Sequence, residues 1–224
     1  MATRLLSGSS AAAIVEAARI IRSGGLVVVP TDTVYGLAAA ALNPDAIARV
    51  FEAKERPSDL RLPLLIGTAA DLPVVARAIP RVAWRLIDRF WPGPLTIVLP
   101  AAATVPGILT ANGGSVGARV PAGRTILRLL EVLGEPIVGT SANISGEPPA
   151  SAASDALRQL DGRVEAILEG DGEVRGGLPS SVIDLSRRVP TVRRAGAISI
   201  DDLRAVVGTR MEVVGTLTGP VGKP

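Results

Sequence analysis

Leu26-Val27-Val28-Val29 leads without a break into Pro30-Thr31-Asp32-Thr33-Val34-Tyr35-Gly36-Leu37. Gly24-Gly25 stands before the apolar run and Pro30 directly after it, so the run has strand length and little room to be a helix. It reads as a buried strand, and a buried strand needs neighbours in a sheet. The stretch that follows packs three small side-chain oxygens behind a proline, holds the chain's only tyrosine and ends at a glycine. A strand that runs into such a turn delivers hydroxyls and backbone N–H groups to the rim of a sheet, where ligands commonly sit. Turn and cap roles for Thr and Asp are the plainer reading of the same residues.

Around this strand the chain alternates helix and strand signals. Ser10 is an N-cap for a helix that Gly24-Gly25 stops, with Ile14, Val15, Ala18, Ile20 and Ile21 on its apolar face. Asn43-Pro44-Asp45 opens a second helix, and Pro57 closes it after Lys54-Glu55-Arg56. Helices are expected over 69–78, 81–90, 125–133, 154–160 and 199–207. Strands are expected over 62–66, 95–99, 115–120, 136–139, 164–168, 181–185 and 191–194. The alternation is not built of clean βαβ units, so the fold class is α/β (α+β). A twisted, mixed parallel and antiparallel sheet flanked by helices is expected. No repeat and no linker divides residues 1–207, which read as a single domain. Residues 208–224 are rich in Gly, Thr, Val and Pro and form a tail, mobile or paired as a strand at an edge.

Composition removes several chemistries. The chain has no cysteine and no histidine, which excludes thiol nucleophiles, His-based triads and Cys- or His-type metal sites. No run approaches the ~18 apolar residues of a membrane span, and no apolar leader follows Met1; a cytoplasmic protein is expected. There is no G-x-x-x-x-G-K-[ST] loop and no G-x-G-x-x-G. All but two of the 24 basic residues are arginines; the lysines are Lys54 and Lys223. A compact ammonium in a chain that otherwise uses arginine suits a phosphate and is not interchangeable with the guanidinium fork.

What remains is cations and hydroxyls at element ends. Lys54 and Arg56 bracket a helix terminus and Arg61 follows. Arg119 ends a strand before Pro121, Arg194 ends another before Gly196, Ser141 and Asn143 follow an apolar strand, and Ser180-Ser181 precede one. Taken singly, each arginine reads as a solvated charge or ion pair. Their recurrence at strand ends suits a site that binds and orients polyanions, which is most of what phosphoryl or nucleotidyl transfer requires.

Seven stretches carry a resemblance in order: Pro30–Leu37, Lys54-x-Arg56-Pro57, Trp91-Pro-Gly-Pro-Leu-Thr96, Gly117-Ala-Arg119-Val-Pro121, Ser141-Ala-Asn143-Ile-Ser145-Gly146, Ser180-Ser-Val-Ile-Asp184 and Arg194-Ala-Gly196. Together they resemble the YrdC-like family of L-threonylcarbamoyladenylate synthases, whose members have an open concave active-site face. The resemblance implies formation of threonylcarbamoyl-AMP and pyrophosphate from L-threonine, bicarbonate and ATP. That is the first step of the N6-threonylcarbamoyladenosine modification at tRNA position 37. It implies that Lys54 and Arg56 hold the ATP phosphates and act in catalysis, and that Ser115, Ser141, Asn143 and Arg194 contact the nucleotide. Thr33, Arg119 and Ser180 are implied as threonine contacts, with Arg119 on the carboxylate. Mg²⁺ is expected to arrive with ATP, and the product to pass to a tRNA threonylcarbamoyl-transferase complex.

The chain departs from the pattern at two places. Leu65 stands where some members have a histidine that contacts threonine, and Ser180-Ser181 stands where others have Ser-Thr. Its length suggests the short bacterial form, without the extra C-terminal domain. The rival reading is a double-stranded RNA-binding or tRNA-binding module, or a paralogue of the fold without the activity, with weak RNA binding compatible with either reading. Five aromatics, a net charge of +3 and an acid-rich 147–173 argue against a broad RNA surface.

Overall fold

The computed structural model describes residues 2–170, 174 and 178–214. Its strands are β1 (Arg4–Ser7), β2 (Val27–Val29), β3 (Gly36–Ala40), β4 (Leu64–Leu65), β5 (Leu95–Pro100), β6 (Ser115–Arg119), β7 (Ile137–Ser141), β8 (Ala166–Glu169), β9 (Ser181–Asp184), β10 (Thr191–Arg194) and β11 (Glu212–Val213). Its α-helices are α1 (Ala11–Arg22), α2 (Pro44–Ala53), α3 (Leu72–Val75), α4 (Arg81–Phe90), α5 (Arg124–Leu133), α6 (Ala153–Leu160) and α7 (Ile200–Val207). The strands form one sheet in the order β1-β8-β2-β3-β7-β4-β6-β5-β9-β10-β11. Parallel and antiparallel pairings both occur, as β2 with β3 antiparallel and β5 with β9 parallel, so the mixed sheet expected from the alternation is present.

The caps are the ones the sequence signals. Ser10 accepts from the Ala13 N–H at the start of α1, Asn43 Oδ1 accepts from the Asp45 and Ala46 N–H groups at α2, and Ser199 accepts from the Asp202 N–H at α7. Each leaves fewer unsatisfied donors at a helix start. Lys54 is the C-cap of α2, directly before the turn to Pro57. Helices α1 and α5 pack together, α2 lies on β3, and α4 on α7. The core beneath them is aliphatic, with Val27, Val28, Val29, Leu37, Ile97 and Ile167 fully buried.

Some expectations fail for identifiable reasons. β3 follows the Pro30–Tyr35 turn at once, and its Gly-Leu-Ala-Ala-Ala carries almost no β-propensity signal. It is a strand because it lies between β2 and β7, where small residues fit. The helix expected over 69–78 is a 3₁₀ turn, Ala69–Asp71, then the four residues of α3. The chain then turns extended at Ala76, which bridges Ala101. β1 and the 3₁₀ turn Gly107–Thr110 carry no periodic signal and were not expected. In the 208–224 stretch, Glu212–Val213 pairs with β10, and residues 215–224 lie outside the described residues.

The register sets the levels of the site. Leu64 stands between Val138 and Ala118, and Leu65 between Ile137 and Arg119. Carried on three residues along the chain from the first of these rows, Ser141, Arg61 and Ser115 lie toward one level. Across β5, Ile97 pairs with Ala118 and Pro100 with Ser115, while Thr96 faces Val182 and Val98 faces Asp184. The Arg119 level and the Ser115 level are thus four residues apart, about 13 Å at strand rise.

Candidate functional site

A cleft of about 720 Å³ opens on one face of the sheet. Its floor follows the two-residue period of strands: Pro63 and Leu65, Gly117 and Arg119, Thr96 and Val98, Gly139 and Ser141, and Ser180, Val182 and Asp184 all line it. The alternate residues Val116, Ala118, Ile97, Val138 and Ile183 are buried. Gly139 keeps the floor low. A Cβ there would collide with the Leu65 side chain, 2.8 Å from Cδ1.

The Pro30–Tyr35 turn is one wall. Thr31 Oγ1 donates to the Val34 carbonyl (2.6 Å) and accepts from the Thr33 N–H (3.2 Å). With that hydrogen committed, the 3.1 Å contact between the two threonine hydroxyls has Thr33 as donor. Thr33 Oγ1 in turn accepts from Arg119 Nη1 (3.1 Å). Tyr35 serves the frame: its hydroxyl accepts from the Gly170 N–H and its own N–H donates to the Ala150 carbonyl. Thr31 and Tyr35 thus hold the turn, Thr33 puts a hydroxyl in the cleft beside Arg119, and Asp32 is the ion-pair partner of Arg119.

Arg119 is 5% exposed. Its Nε donates to the Gly93 carbonyl (2.8 Å) and its Nη2 to Asp32 Oδ1 (2.5 Å), which also accepts from the Ala122 N–H. Burial pulls its pKa down, and Asp32 opposes that. Of the five guanidinium donors three are used, leaving one on each terminal nitrogen, the pair that grips a carboxylate in two places. Beside it, Ser180 Oγ lies 2.9 Å from Thr96 Oγ1, and Arg194 donates from Nε to the Ser180 carbonyl and from Nη2 to Ser180 Oγ. Burial and the charge of Arg119 both lower the Arg194 pKa. Gly196 permits this approach, since a Cβ there would lie 2.7 Å from the Ser180 carbonyl carbon and oxygen.

The other end is built on α2 and the turn after β7. Arg56 lines the cleft, donates from Nη2 to the Arg61 carbonyl (3.1 Å), and has a buried Nε–H with no partner. Lys54 lies behind it, 1% exposed and outside the cleft lining. Its ammonium donates to the Ser141 carbonyl (2.5 Å), the Asn143 carbonyl (2.7 Å) and Asn143 Oδ1 (3.3 Å). Burial, with Arg56's charge, pushes its pKa from 10.5 down to about 7. Asn143 is also inside the turn, donating from Nδ2 to the Ile144 and Glu147 carbonyls. The Ser145 N–H returns to the Lys54 carbonyl (2.8 Å), so helix end and turn are one unit.

Of the residues singled out in the sequence, Thr33, Arg56, Arg119, Ser141, Ser180 and Arg194 line one cleft. Lys54, Asn143 and Ser115 are buried and outside its lining. Leu65, at the position where the resemblance has a histidine, is in the floor, which is aliphatic there. Residue-by-residue reading missed Thr96 and Asp184 as members of the cleft, although each stands inside a quoted motif. Asp184 accepts from the Ser186 N–H and hydroxyl on one oxygen and from Arg193 Nε and Nη2 on the other. Burial works to raise its pKa, and the Ser186 and Arg193 bonds outweigh it, leaving the carboxyl lowered. It is the cleft's one carboxylate among the described residues. No group of three metal-ligating side chains occurs among them, and no helix among them is long and apolar enough to cross a membrane.

The Sua5_yciO_yrdC family model, described as "Telomere recombination", matches residues 19–196. A Pyrococcus abyssi protein named threonylcarbamoyl-AMP synthase is 44% identical over 192 residues, covering 86% of this chain and 56% of its own length. The chain therefore spans little more than half of that relative. A Mycobacterium tuberculosis protein named putative threonylcarbamoyl-AMP synthase is 37% identical, covering 87% of this chain and 89% of its own. The crystal structure of P. abyssi Sua5 complexed with L-threonine superposes with a TM-score of 0.89 at 39% identity, covering 96% of this chain and 63% of that one. E. coli YciO gives 0.79 at 28% identity, with 90% and 97% covered. Motifs, sheet and cleft agree with these likenesses, and the chain belongs to the Sua5/YciO/YrdC family.

Proposed function

We propose that the chain is an L-threonylcarbamoyladenylate synthase, a nucleotidyltransferase that makes threonylcarbamoyl-AMP and pyrophosphate from L-threonine, bicarbonate and ATP. One observation carries the reading. A single cleft has arginine donors at two ends of a low floor, four strand residues apart, and its one described carboxylate is already ion-paired. Such a cleft suits two anions set end to end. The threonine-bound Sua5 relative supports amino acid at one end.

Threonine lies at the Arg119 end, its carboxylate on the two unused guanidinium donors, with Thr33 and Ser180 beside it. Bicarbonate condenses with its amine to a carbamate and water leaves. A carbamate oxygen then attacks the α-phosphorus in line; the bond from that phosphorus to the bridging oxygen breaks, and pyrophosphate departs with the electron pair. Arg56 and Ser141 bind and orient the nucleotide at their end, Arg194 reaches it from its place beside Ser180, and the unpaired Arg56 Nε–H is a donor ready for phosphate oxygen. Lys54 and Asn143 act on ATP from behind, through the turn that presents Ser141, and Ser115 sets the level of that end. Mg²⁺ fits as a companion of ATP, since the cleft offers no carboxylate cage; it supplies charge neutralisation at the phosphates. The reaction needs no protein nucleophile, which agrees with a chain lacking His and Cys. The product passes to a tRNA threonylcarbamoyl-transferase complex in the cytoplasm.

The test is incubation with ATP, Mg²⁺, threonine and bicarbonate, following pyrophosphate and threonylcarbamoyl-AMP. Both are expected, and Arg56→Ala abolishes them while the protein stays folded. No product under any condition, with salt-sensitive RNA binding instead, overturns the reading in favour of an RNA-binding module.

A further inference from the structure

Among the described residues six arginines line the cleft, and four of them have partners. Arg119 holds Asp32, Arg193 holds Asp184, Arg194 holds Ser180, and Arg56 donates to the Arg61 carbonyl. The guanidinium groups of Arg61 and Arg187 have no hydrogen-bond or ion-pair partner among the described residues. Both are exposed on the cleft rim. The Arg61 guanidinium lies close to Gly113: a Cβ there would meet its Cζ at 3.2 Å and its Nε at 3.3 Å. Glycine there leaves room for the head group.

The register puts both at one end. Arg61, three residues before Leu64, lies toward the level of Ser141 and Ser115 when the β4 pairings are carried on along the chain. Arg187 lies three residues beyond Asp184, which faces Val98, and β9 runs parallel to β5 toward Pro100 and its partner Ser115. Arg119, Thr96 and Ser180 are at the opposite end. A guanidinium on each side of the Ser141 end is a fork for phosphate oxygens, and no group among the described residues competes for it.

We infer that Arg61 and Arg187 form an outer polyphosphate clamp that binds the leaving pyrophosphate moiety of ATP at the Ser141 end of the cleft. The inference rests on the synthase reading. In the ground state the pair holds the β- and γ-phosphates; after the α-phosphorus bond breaks, it holds the departing pyrophosphate, so it also sets the rate of product release.

The test is calorimetric titration of the full chain with Mg²⁺-pyrophosphate, and separately with threonine, at low salt. Each of Arg61→Gln and Arg187→Gln is expected to weaken pyrophosphate binding about fivefold and the double variant about twentyfold, with a shallower salt dependence. Threonine affinity stays unchanged. Both residues are exposed and unpaired, so the thermal midpoint is expected to hold, and Arg61→Lys with Arg187→Lys recovers part of the affinity. A double variant that binds pyrophosphate within twofold of wild type overturns the clamp, as does loss of threonine affinity instead, or loss of tRNA retention with pyrophosphate binding intact. Wild-type protein that binds neither Mg²⁺-ATP nor pyrophosphate overturns the synthase reading itself.

Discussion

Replacing Lys54 by Met gives a pH signature that follows from where the ammonium sits. The side chain is 1% exposed, has three oxygen acceptors and no carboxylate among its ion-pair partners. Its pKa falls from 10.5 to about 7, burial first and the Arg56 charge second. Between pH 7 and 10.5 the unfolded chain therefore binds more protons than the folded one, and stability rises with pH across that window. At about 1.4 kcal/mol per unit, the full window is worth about 5 kcal/mol and the accessible part, pH 7 to 9, about 2 to 3 kcal/mol. Methionine has a similar stem and no proton, so Lys54→Met removes this slope. It also removes a donor from the Ser141 and Asn143 carbonyls, a penalty of about 1–3 kcal/mol for each one left unsatisfied. Urea unfolding of both proteins at pH 7, 8 and 9 reads the effect directly. The chain has no His and no Cys, so apart from the α-amino group little else titrates there. The expected result is a wild-type stability that climbs by about 2–3 kcal/mol relative to the variant between pH 7 and 9. Parallel pH dependences would mean that the three oxygen acceptors keep the buried ammonium charged, and would refute the lowered pKa. The same variant is expected to raise the ATP KM more than the threonine KM, because the loosened turn carries Ser141.

Two other changes test the frame. Asp32→Asn removes the counter-charge from a guanidinium that is 5% exposed; a loss of about 3 kcal/mol in urea unfolding is expected, and the threonine KM rises more than that of ATP. Gly139→Ala drives a Cβ into Leu65, and the overpacking should lower the denaturant midpoint by an equivalent of about 1–3 kcal/mol without changing the slope, while kcat falls because the floor between the two substrate ends rises.

The sequence made some parts of this molecule readable and hid others for the same physical reason: local signals report local structure. Ser10, Asn43 and Ser199 announce helix starts because each side chain caps a donor two or three residues on. Val27–Val29 announces a strand because nothing but a buried sheet hides three valines in a row. β3 carries no such mark. Its alanines become a strand only between neighbours supplied by β2 and by β7, a hundred residues on, and that information is not in the pentapeptide.

The site divides in the same way. Residue type and position at strand ends were enough to gather Arg119, Arg194 and Ser180 as polar groups of one cleft. The sequence also drew attention to Lys54, because it is the only lysine in the body of a chain that otherwise uses arginine. Its rarity, however, says nothing about which way the ammonium points. A guanidinium could not fit where Lys54 is, since its five donors would face three oxygens inside a turn already closed by Asn143. A compact ammonium satisfies those oxygens with its three donors. The same argument from the chemistry of one head group therefore explains both why arginine is used on the cleft surface and why lysine is kept behind it. On the synthase reading, direct contact with phosphate falls to the planar forks, and Lys54 holds the turn against which they work.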